Sequence, residues 1–320
     1  MVNQTTYDII LTGGGASGLL LALRLSQDAF FDDKQILIVD TSNKDVNDRT
    51  WCFWSKSETF LTDVISHQWN TVTFKSDGLL KTENIQPYTY NHIQAIDFYK
   101  YALKEIRGKS NFTWASERVS NLTELDALVQ VETNSNTYLG RQVFNSILFS
   151  NDYKQSKRYP LIHQHFVGWK IKVPTEKFDP STATFMDFDI PQQMNTRFMY
   201  VLPTSKTEAL FEYTLFSQTL LNTADYEAGI KEYLHVQGID QYEILDMEAG
   251  CIPMTCFPFW EKNSDKIHHI GIAGGWAKAS TGYTFHNAIL KTKQIVSQLK
   301  NAQRIDTKKR NRFWLYDLLL

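Results

Sequence analysis

Cysteine is scarce: three residues, Cys52, Cys251 and Cys256, in a chain of 320. That number excludes a disulfide framework, and the C-x4-C of the last two has no metal-site spacing, so no metal is expected. A reducing, cytoplasmic setting suits such a chain. An excess of one charge is also missing. The 33 Lys and Arg against 35 Asp and Glu leave a formal net charge of −2, which removes the electrostatic case for nucleic acid. Long hydrophobic runs are absent too: LLLAL (19–23) stops at Arg24, far short of a bilayer span. The opening MVNQTTYDIIL has no basic stretch ahead of an apolar one, which argues against a secretory leader. No internal repeat or low-complexity tract stands out. What the chain has in quantity is aromatic side chains, 20 Phe, 15 Tyr and 8 Trp, within a hydrophobic content of 42%. That supports a substantial core, arranged as two domains or as one α/β domain with a large insertion.

The first forty residues carry an ordered signal. YDIILT (7–12) reads as a buried parallel strand, GGGASG follows, then the apolar helix around Leu19–Leu23, then the strand QILIVD ending in Asp40. Gly13, Gly15 and Gly18 satisfy G-x-G-x-x-G: a tight turn, a close backbone approach to a pyrophosphate, and close helix–strand packing. The helix N-terminus offers free N–H groups to phosphate, and Asp40 is placed to accept from a ribose. A glycine-rich turn in an ordinary βαβ unit explains the glycines alone. The complete order of strand, glycines, helix, strand and acid selects dinucleotide binding.

The far end selects FAD over NAD. Residues 267–299 read as a strand, a loop with Gly271, Gly274, Gly275 and Gly282, and an amphipathic helix for which Ser280 and Thr281 are candidate N-caps. A second glycine loop opening a helix suits a flavin, so Gly274, Gly275, Thr281 and Gly282 join the candidate cofactor contacts. By itself the loop is an ordinary strand–helix joint.

Between these ends, HIQAIDFYKYALKEI (92–106) predicts a helix, and residues 111–149 predict a β-meander with a return strand. From about 160 to 262 long strands dominate: HFVGWKIKV, TATFMDFD, RFMYVLP and EALFEYTLF, the last two joined by a hairpin link at 203–207. The helix after them has Asn222 as N-cap and Gly238 as its stop. The expected architecture is α/β: a Rossmann-type FAD/NAD(P)-binding domain (1–155 and 265–320) with an inserted mixed-sheet substrate domain (156–264). In EALFEYTLF, strand parity puts Glu212 with Leu210, Thr214 and Phe216, and Ala209, Phe211, Tyr213 and Leu215 on the other face. Both faces are apolar, so this carboxyl should be desolvated and favour its neutral acid. A partner Lys or Arg, or an edge position, would instead leave it structural.

The block NDRTWCFW (47–54) places Trp51, Phe53 and Trp54 in what reads as a loop just after the nucleotide-binding unit, either plugging the core or walling an apolar pocket. With this block, GGGASGLLLALRL, ILIVD, FVGW, MDF, YVLP, LFEYTLFS, EAGCIPMT and AGGWAKASTGYTF stand in an order that resembles the bacterial lycopene β-cyclase family over essentially the whole chain.

The resemblance implies an FAD enzyme that cyclises lycopene, through γ-carotene, to β-carotene without net redox change, using reduced FAD, with NAD(P)H a possible electron source. It implies Glu212 as the proton donor, Asp48 and Arg49 near the cofactor, and Trp51, Phe53, Trp54 and Phe216 as walls for the polyene. Such a substrate implies contact with a membrane lipid surface, for which the basic stretch Lys308, Lys309, Arg310 and Arg312 before Phe313, Trp314 and Leu315 would serve; a solvated turn before a core helix is the alternative. Three departures accompany it. The glycines of the family's turn after the return strand are missing from FSNDY, leaving Asp152 to keep part of that role. Tyr213 stands where a second acid is familiar. The family continues beyond the stretch matching Phe313–Leu320, with which this sequence ends. An NAD(P)H-dependent monooxygenase or isoprenoid reductase of the same architecture, and a non-catalytic flavin- or carotenoid-binding protein, are the competing readings.

Overall fold

The computed structural model describes residues 5–56, 59–306 and 312–319. In chain order the elements are β1 (Thr6–Thr12), α1 (Ala16–Ser26), β2 (Ile36–Val39), β3 (Thr50–Ser55), β4 (His67–Trp69), β5 (Thr71–Ser76), β6 (Leu79–Asn84) and β7 (Thr89–Gln94). Then come α2 (Ala95–Arg107), β8 (Phe112–Ala115), β9 (Val119–Glu124), β10 (Val129–Thr133), β11 (Thr137–Asn145) and α3 (Asp152–Gln155). The second half holds β12 (Ile162–Lys172), β13 (Thr182–Asp187), β14 (Thr196–Pro203), β15 (Glu208–Ser217), α4 (Thr223–Val236), β16 (Glu243–Met254) and β17 (Ile267–His269). The helices α5 (Phe285–Lys300) and α6 (Arg312–Leu319) close it.

Two compact units result, residues 1–46, 96–161 and 254–320 in one and 47–95 and 162–253 in the other. In the first, a seven-stranded sheet runs β8-β2-β1-β11-β10-β9, with β17 added beside β11. Strands β8, β2, β1, β11 and β17 are parallel, the Rossmann-type arrangement, and β9–β10–β11 form the antiparallel meander. The all-buried pattern of β2 and the near-complete burial of α1 follow from a sheet covered by helices. Arg24 ties α1 to α5, its Nε donating to Thr292 Oγ1 at 3.1 Å and its Nη2 to the Ile289 carbonyl at 3.1 Å.

In the second unit a mixed sheet runs β16-β12-β15-β14-β13-β5-β6, beside a small sheet β3-β7-β4. The predicted hairpin is there, with Pro203 paired to Ala209, and α4 starts as expected, Asn222 Oδ1 accepting from the Asp225 amide at 3.1 Å. One face of β15 and β12 packs on α4 through Trp169, Ile171, Phe211, Tyr213 and Tyr233. The opposite face meets an aromatic cluster of Trp69, Tyr90, Phe198 and Tyr200. Phe198 is fully buried, with Tyr200, Phe188 and Phe216 at ring-centroid distances of 5.0, 5.2 and 5.5 Å. Phe198→Ala is expected to cost about 3–5 kcal/mol of stability. A lowered denaturation midpoint measures this.

The domain boundaries differ from those expected. Residues 47–95 belong with the second unit because β5 pairs in parallel with β13, Thr71 opposite Thr182, and the β5–β6 hairpin extends that sheet. Residues 156–161 and 254–264 belong with the first, where Tyr159, Cys256, Trp260 and Trp314 form one cluster. His92–Gln94, read as helix, are the end of β7, and α2 begins at Ala95. The aromatic part of NDRTWCFW, expected in a loop, is strand β3, because Thr50–Ser55 pairs in register with β7, Trp54 opposite Tyr90.

Candidate functional site

In the first unit the glycine loop behaves as its spacing demands. Gly13 has φ +94°, a left-handed conformation that side chains rarely adopt. A Cβ on Gly18 would collide with the Gly13 carbonyl oxygen, so helix and strand pack as closely as they do only because position 18 is bare. Among the described residues, chain neighbours aside, nothing lies within 4 Å of where a Cβ on Gly15 would stand: the loop is open there. Gly15 is also the N-cap of α1, and no side chain caps that end. Asp40 sits at the end of β2 with Oδ2 accepting from the Gly14 amide at 2.5 Å, Oδ1 accepting from the Ser42 amide at 2.7 Å, and Lys44 Nζ at 3.2 Å.

The C-terminal loop lies against this turn, since a Cβ on Gly271 would meet Ser17 Oγ at 2.8 Å. Gly274 packs against the His269 carbonyl with no room for a side chain, and Gly275 and Gly282 have φ of +66° and +71°. Thr281 is not the cap of α5, as Ser280 is not: both lie in the turn closed by Gly282 N–H to the Lys278 carbonyl at 2.8 Å, and Thr284 holds the N-cap position. The Thr281 hydroxyl and the Trp276 indole nitrogen are buried without a hydrogen-bond partner among the described residues. An uncapped helix start, open space over Gly15 and two orphaned polar atoms in the facing loop fit a dinucleotide such as FAD. Asp152 is exposed at the head of α3 and pairs with Lys262 at 2.8 Å.

The second unit contains the carboxyl singled out by parity. Leu210, Glu212, Thr214 and Phe216 share one face of β15, the side of the aromatic cluster, and Ala209, Phe211, Tyr213 and Leu215 face α4. Glu212 pairs with Gly168 on β12 and with Tyr200 on β14. Thr214 Oγ1 donates to Glu212 Oε1 at 2.8 Å. Glu212 and Thr50 stand near enough to Glu248 on β16 to act on its carboxyl, whose Oε1 is buried and makes no hydrogen bond among the described residues. Both carboxyls are half-buried by accessible area, yet protein surrounds them closely enough to strip most of their hydration. Burial is the largest influence on each and pushes both well above the usual carboxylate range. The charge of Glu248 raises Glu212 further, whereas the bonds from Thr50 and Glu212 and the charge of Arg49 favour ionised Glu248. The two form a buried, coupled carboxyl pair in which burial favours the neutral acid on each, and the charge of Asp246 adds to the rise of Glu248. Near this pair, burial and then the charges of Glu212 and Glu248 push the Cys52 thiol up, and it stays protonated.

Tyr213, where a second acid was familiar, faces the α4 core, and its hydroxyl accepts from Arg197 Nη1 at 3.2 Å. The carboxyl that comes near Glu212 is that of Glu248. Trp54 lies in the cluster on the Glu212 side, with ring centroids 4.8 Å from Tyr90 and 5.2 Å from Phe185, and Phe216 closes against Phe198. Trp51 and Phe53 alternate to the other face of β3, where Phe53 is buried. Arg49 is bound to Asp48 at 2.8 Å, and its charge acts on Glu248.

The family model described as lycopene cyclase protein matches residues 8–317. The chain belongs to the lycopene cyclase family. It is similar to the lycopene β-cyclase of Pantoea ananas, 25% identical over 307 residues that cover 89% of this chain and 73% of that protein. The corresponding enzyme of Pseudescherichia vulneris is 22% identical over 294 residues, 88% of this chain and 71% of the relative. In fold, this cyclase-family chain resembles a geranylgeranyl bacteriochlorophyll reductase-like protein from Thermoplasma acidophilum, with TM-score 0.66, 14% identity, and coverage of 94% of this chain and 79% of that one. It also resembles p-nitrophenol 4-monooxygenase from Pseudomonas putida, with TM-score 0.65, 13% identity, and coverage of 93% and 81%. The Rossmann-type architecture read from the sequence is therefore that of this cyclase-family chain, and a flavin-dependent brominase shares it.

Sequence reasoning missed Glu248 and Gly168. Both stood in family-like blocks, EAGCIPMT and FVGW, but only strand order puts them beside Glu212. The basic stretch proposed for membrane contact falls on Lys308, Lys309 and Arg310, which, with the Phe313 side chain, lie outside the described residues. Trp314 is a core residue, its indole nitrogen donating to the Cys256 carbonyl at 3.2 Å, which removes it from any exposed apolar face. No helix among the described residues is long and apolar enough to cross a membrane.

Proposed function

We propose that this chain is a lycopene β-cyclase that closes the ends of lycopene into β-rings, through γ-carotene to β-carotene, with FAD in its reduced form. The observation that carries the reading is the place of Glu212, on the face of β15 that meets the aromatic cluster, where burial and then the neighbouring Glu248 favour its protonated form. Such an acid can protonate a hydrocarbon double bond, which an ordinary ionised glutamate cannot. Thr214 occupies Oε1, which leaves Oε2 to carry the acidic proton. Protonation of the terminal alkene leaves a tertiary carbocation, the neighbouring double bond attacks it to close the ring, and loss of a ring proton forms the new double bond. Protons and electrons both balance.

The faces of Trp54, Phe185 and Phe216 offer the cation a negative quadrupole and exclude water from it. Gly13, Gly15, Gly18, Asp40 and the Gly274–Gly282 loop would hold the cofactor, which supplies an electron-rich surface favouring cationic chemistry; NAD(P)H is the proposed electron source. Lycopene and γ-carotene live in lipid, so we place the protein in the cytoplasm, peripherally at the membrane surface.

Incubation with lycopene and chemically reduced flavin tests this. Ring formation without NADPH consumption is the expected result. Stoichiometric NADPH loss would instead establish a reductase or monooxygenase, and pigment binding with an unchanged absorption spectrum would establish a binding protein.

A further inference from the structure

Glu248 lies on β16 and Glu212 on β15, with β12 between them. Across an intervening strand two side chains stand two strand spacings apart, roughly 10 Å. The residue in that row of β12 is Gly168, directly opposite Glu212. A Cβ built on it would lie 3.1 Å from both Glu248 Cγ and Leu210 Cδ1. The glutamates meet because the strand between them has a notch. Glu248 also lines a small recess of about 20 Å³, room for about one water, with Asn47, Thr50, Lys170 and Asp246, whereas Glu212 is not among the lining residues.

We propose that Glu248 is a positioning residue of the cyclisation, which holds the Glu212 proton across the Gly168 notch and exchanges it with the recess between turnovers. The proposal rests on Glu212 being the acid. When Glu212 has given its proton to the alkene, two carboxylates are left in contact, and one must take a proton up again, from the closing ring or through the recess. No electron moves, and each turnover returns the pair to one proton. The groups facing the pair allow this. Thr50 and Cys52 on β3 are neutral, and His92 on β7 is neutral because burial, then His67 and Lys170, push it down to about 4. Lys170 on β12 is engaged by Glu208 at 3.4 Å, and Asp246 accepts from Asn47 at 2.8 Å. Arg49 acts on Glu248 while bound to Asp48.

The test is Glu248→Gln in the FAD-loaded protein, read two ways. The Glu212 carboxylic-acid carbonyl band is titrated by infrared difference against Glu212→Gln, without substrate, and the alkaline limb of ring formation is measured in parallel. Both are expected to move down by roughly one to three pH units when the neighbouring negative charge is removed. Glu248→Asp, which keeps the charge, should stay nearer the parent. If Glu248→Gln does not fold, Gly168→Ala decides, because it parts the two carboxyls and should move the same band the same way. An unmoved Glu212 titration overturns the proposal even where Glu212→Gln abolishes activity. A shifted band in a protein that forms no rings supports the pair and removes the cyclase reading instead.

Discussion

Glu212→Gln should lower ring formation by about 10²–10⁴-fold, the range general acid catalysis supplies, while the protein still folds and retains flavin. Gln keeps the shape and neutrality of a protonated glutamate, and its carbonyl can still accept from Thr214. The substitution therefore leaves no uncompensated buried charge and removes only the transferable proton. Among the described residues the neighbouring groups do not replace it: Cys52 is a weak acid made weaker by its surroundings, and Glu248 lies across the Gly168 notch on β16. The same argument fixes the pH dependence of the parent. An ordinary glutamate titrates near 4.3 and would be spent as an acid above about pH 5. With its pKa raised, Glu212 stays protonated through neutral pH, and activity falls as pH rises through the raised value. Rates near normal for Glu212→Gln, or an activity that is lost already at mildly acidic pH, would each remove Glu212 as the donor.

Gly18→Ala should release the flavin. A methyl group at position 18 would sit against the Gly13 carbonyl oxygen, a backbone atom that cannot turn aside, so α1 must back away from β1. Overpacking of this kind costs about 1–3 kcal/mol of stability. It also displaces the helix start that would hold the pyrophosphate, and each 1.4 kcal/mol lost there lowers affinity about tenfold. Gly15→Ala is the informative companion, because its methyl meets nothing within 4 Å in the protein itself. It should fold with a melting temperature close to the parent's yet bind flavin at least about tenfold more weakly, because the added carbon takes up space a phosphate needs. Flavin absorbance retained through gel filtration, with thermal melting of the flavin-free protein, reads both effects. Stoichiometric flavin in both variants would place the cofactor elsewhere.

Several features could be read without coordinates because their signals are local. Strand, glycines, helix, strand and Asp40 follow one another within forty residues, and each is encoded by burial pattern or turn chemistry in its own segment. The two faces of β15 follow from the period of two along one strand, so the apolar surroundings of Glu212 were legible too. The same rule would have separated Trp54 from Phe53 had TWCFWS been read as a strand, but nothing in those six residues distinguishes a strand from an aromatic loop before β7 is paired with it.

What the tertiary structure alone decided is which distant segments became neighbours. The β5–β6 hairpin joined a sheet whose other strands begin some ninety residues later, so residues 47–95 crossed from the expected domain to the other. Glu248 came to lie beside Glu212 through the strand order β16-β12-β15 and a glycine on the middle strand. Period and turn chemistry determine a segment's own conformation. Strand order and register are set by packing over the whole unit, and a carboxyl pair 36 residues apart in the chain exists only after that packing is complete.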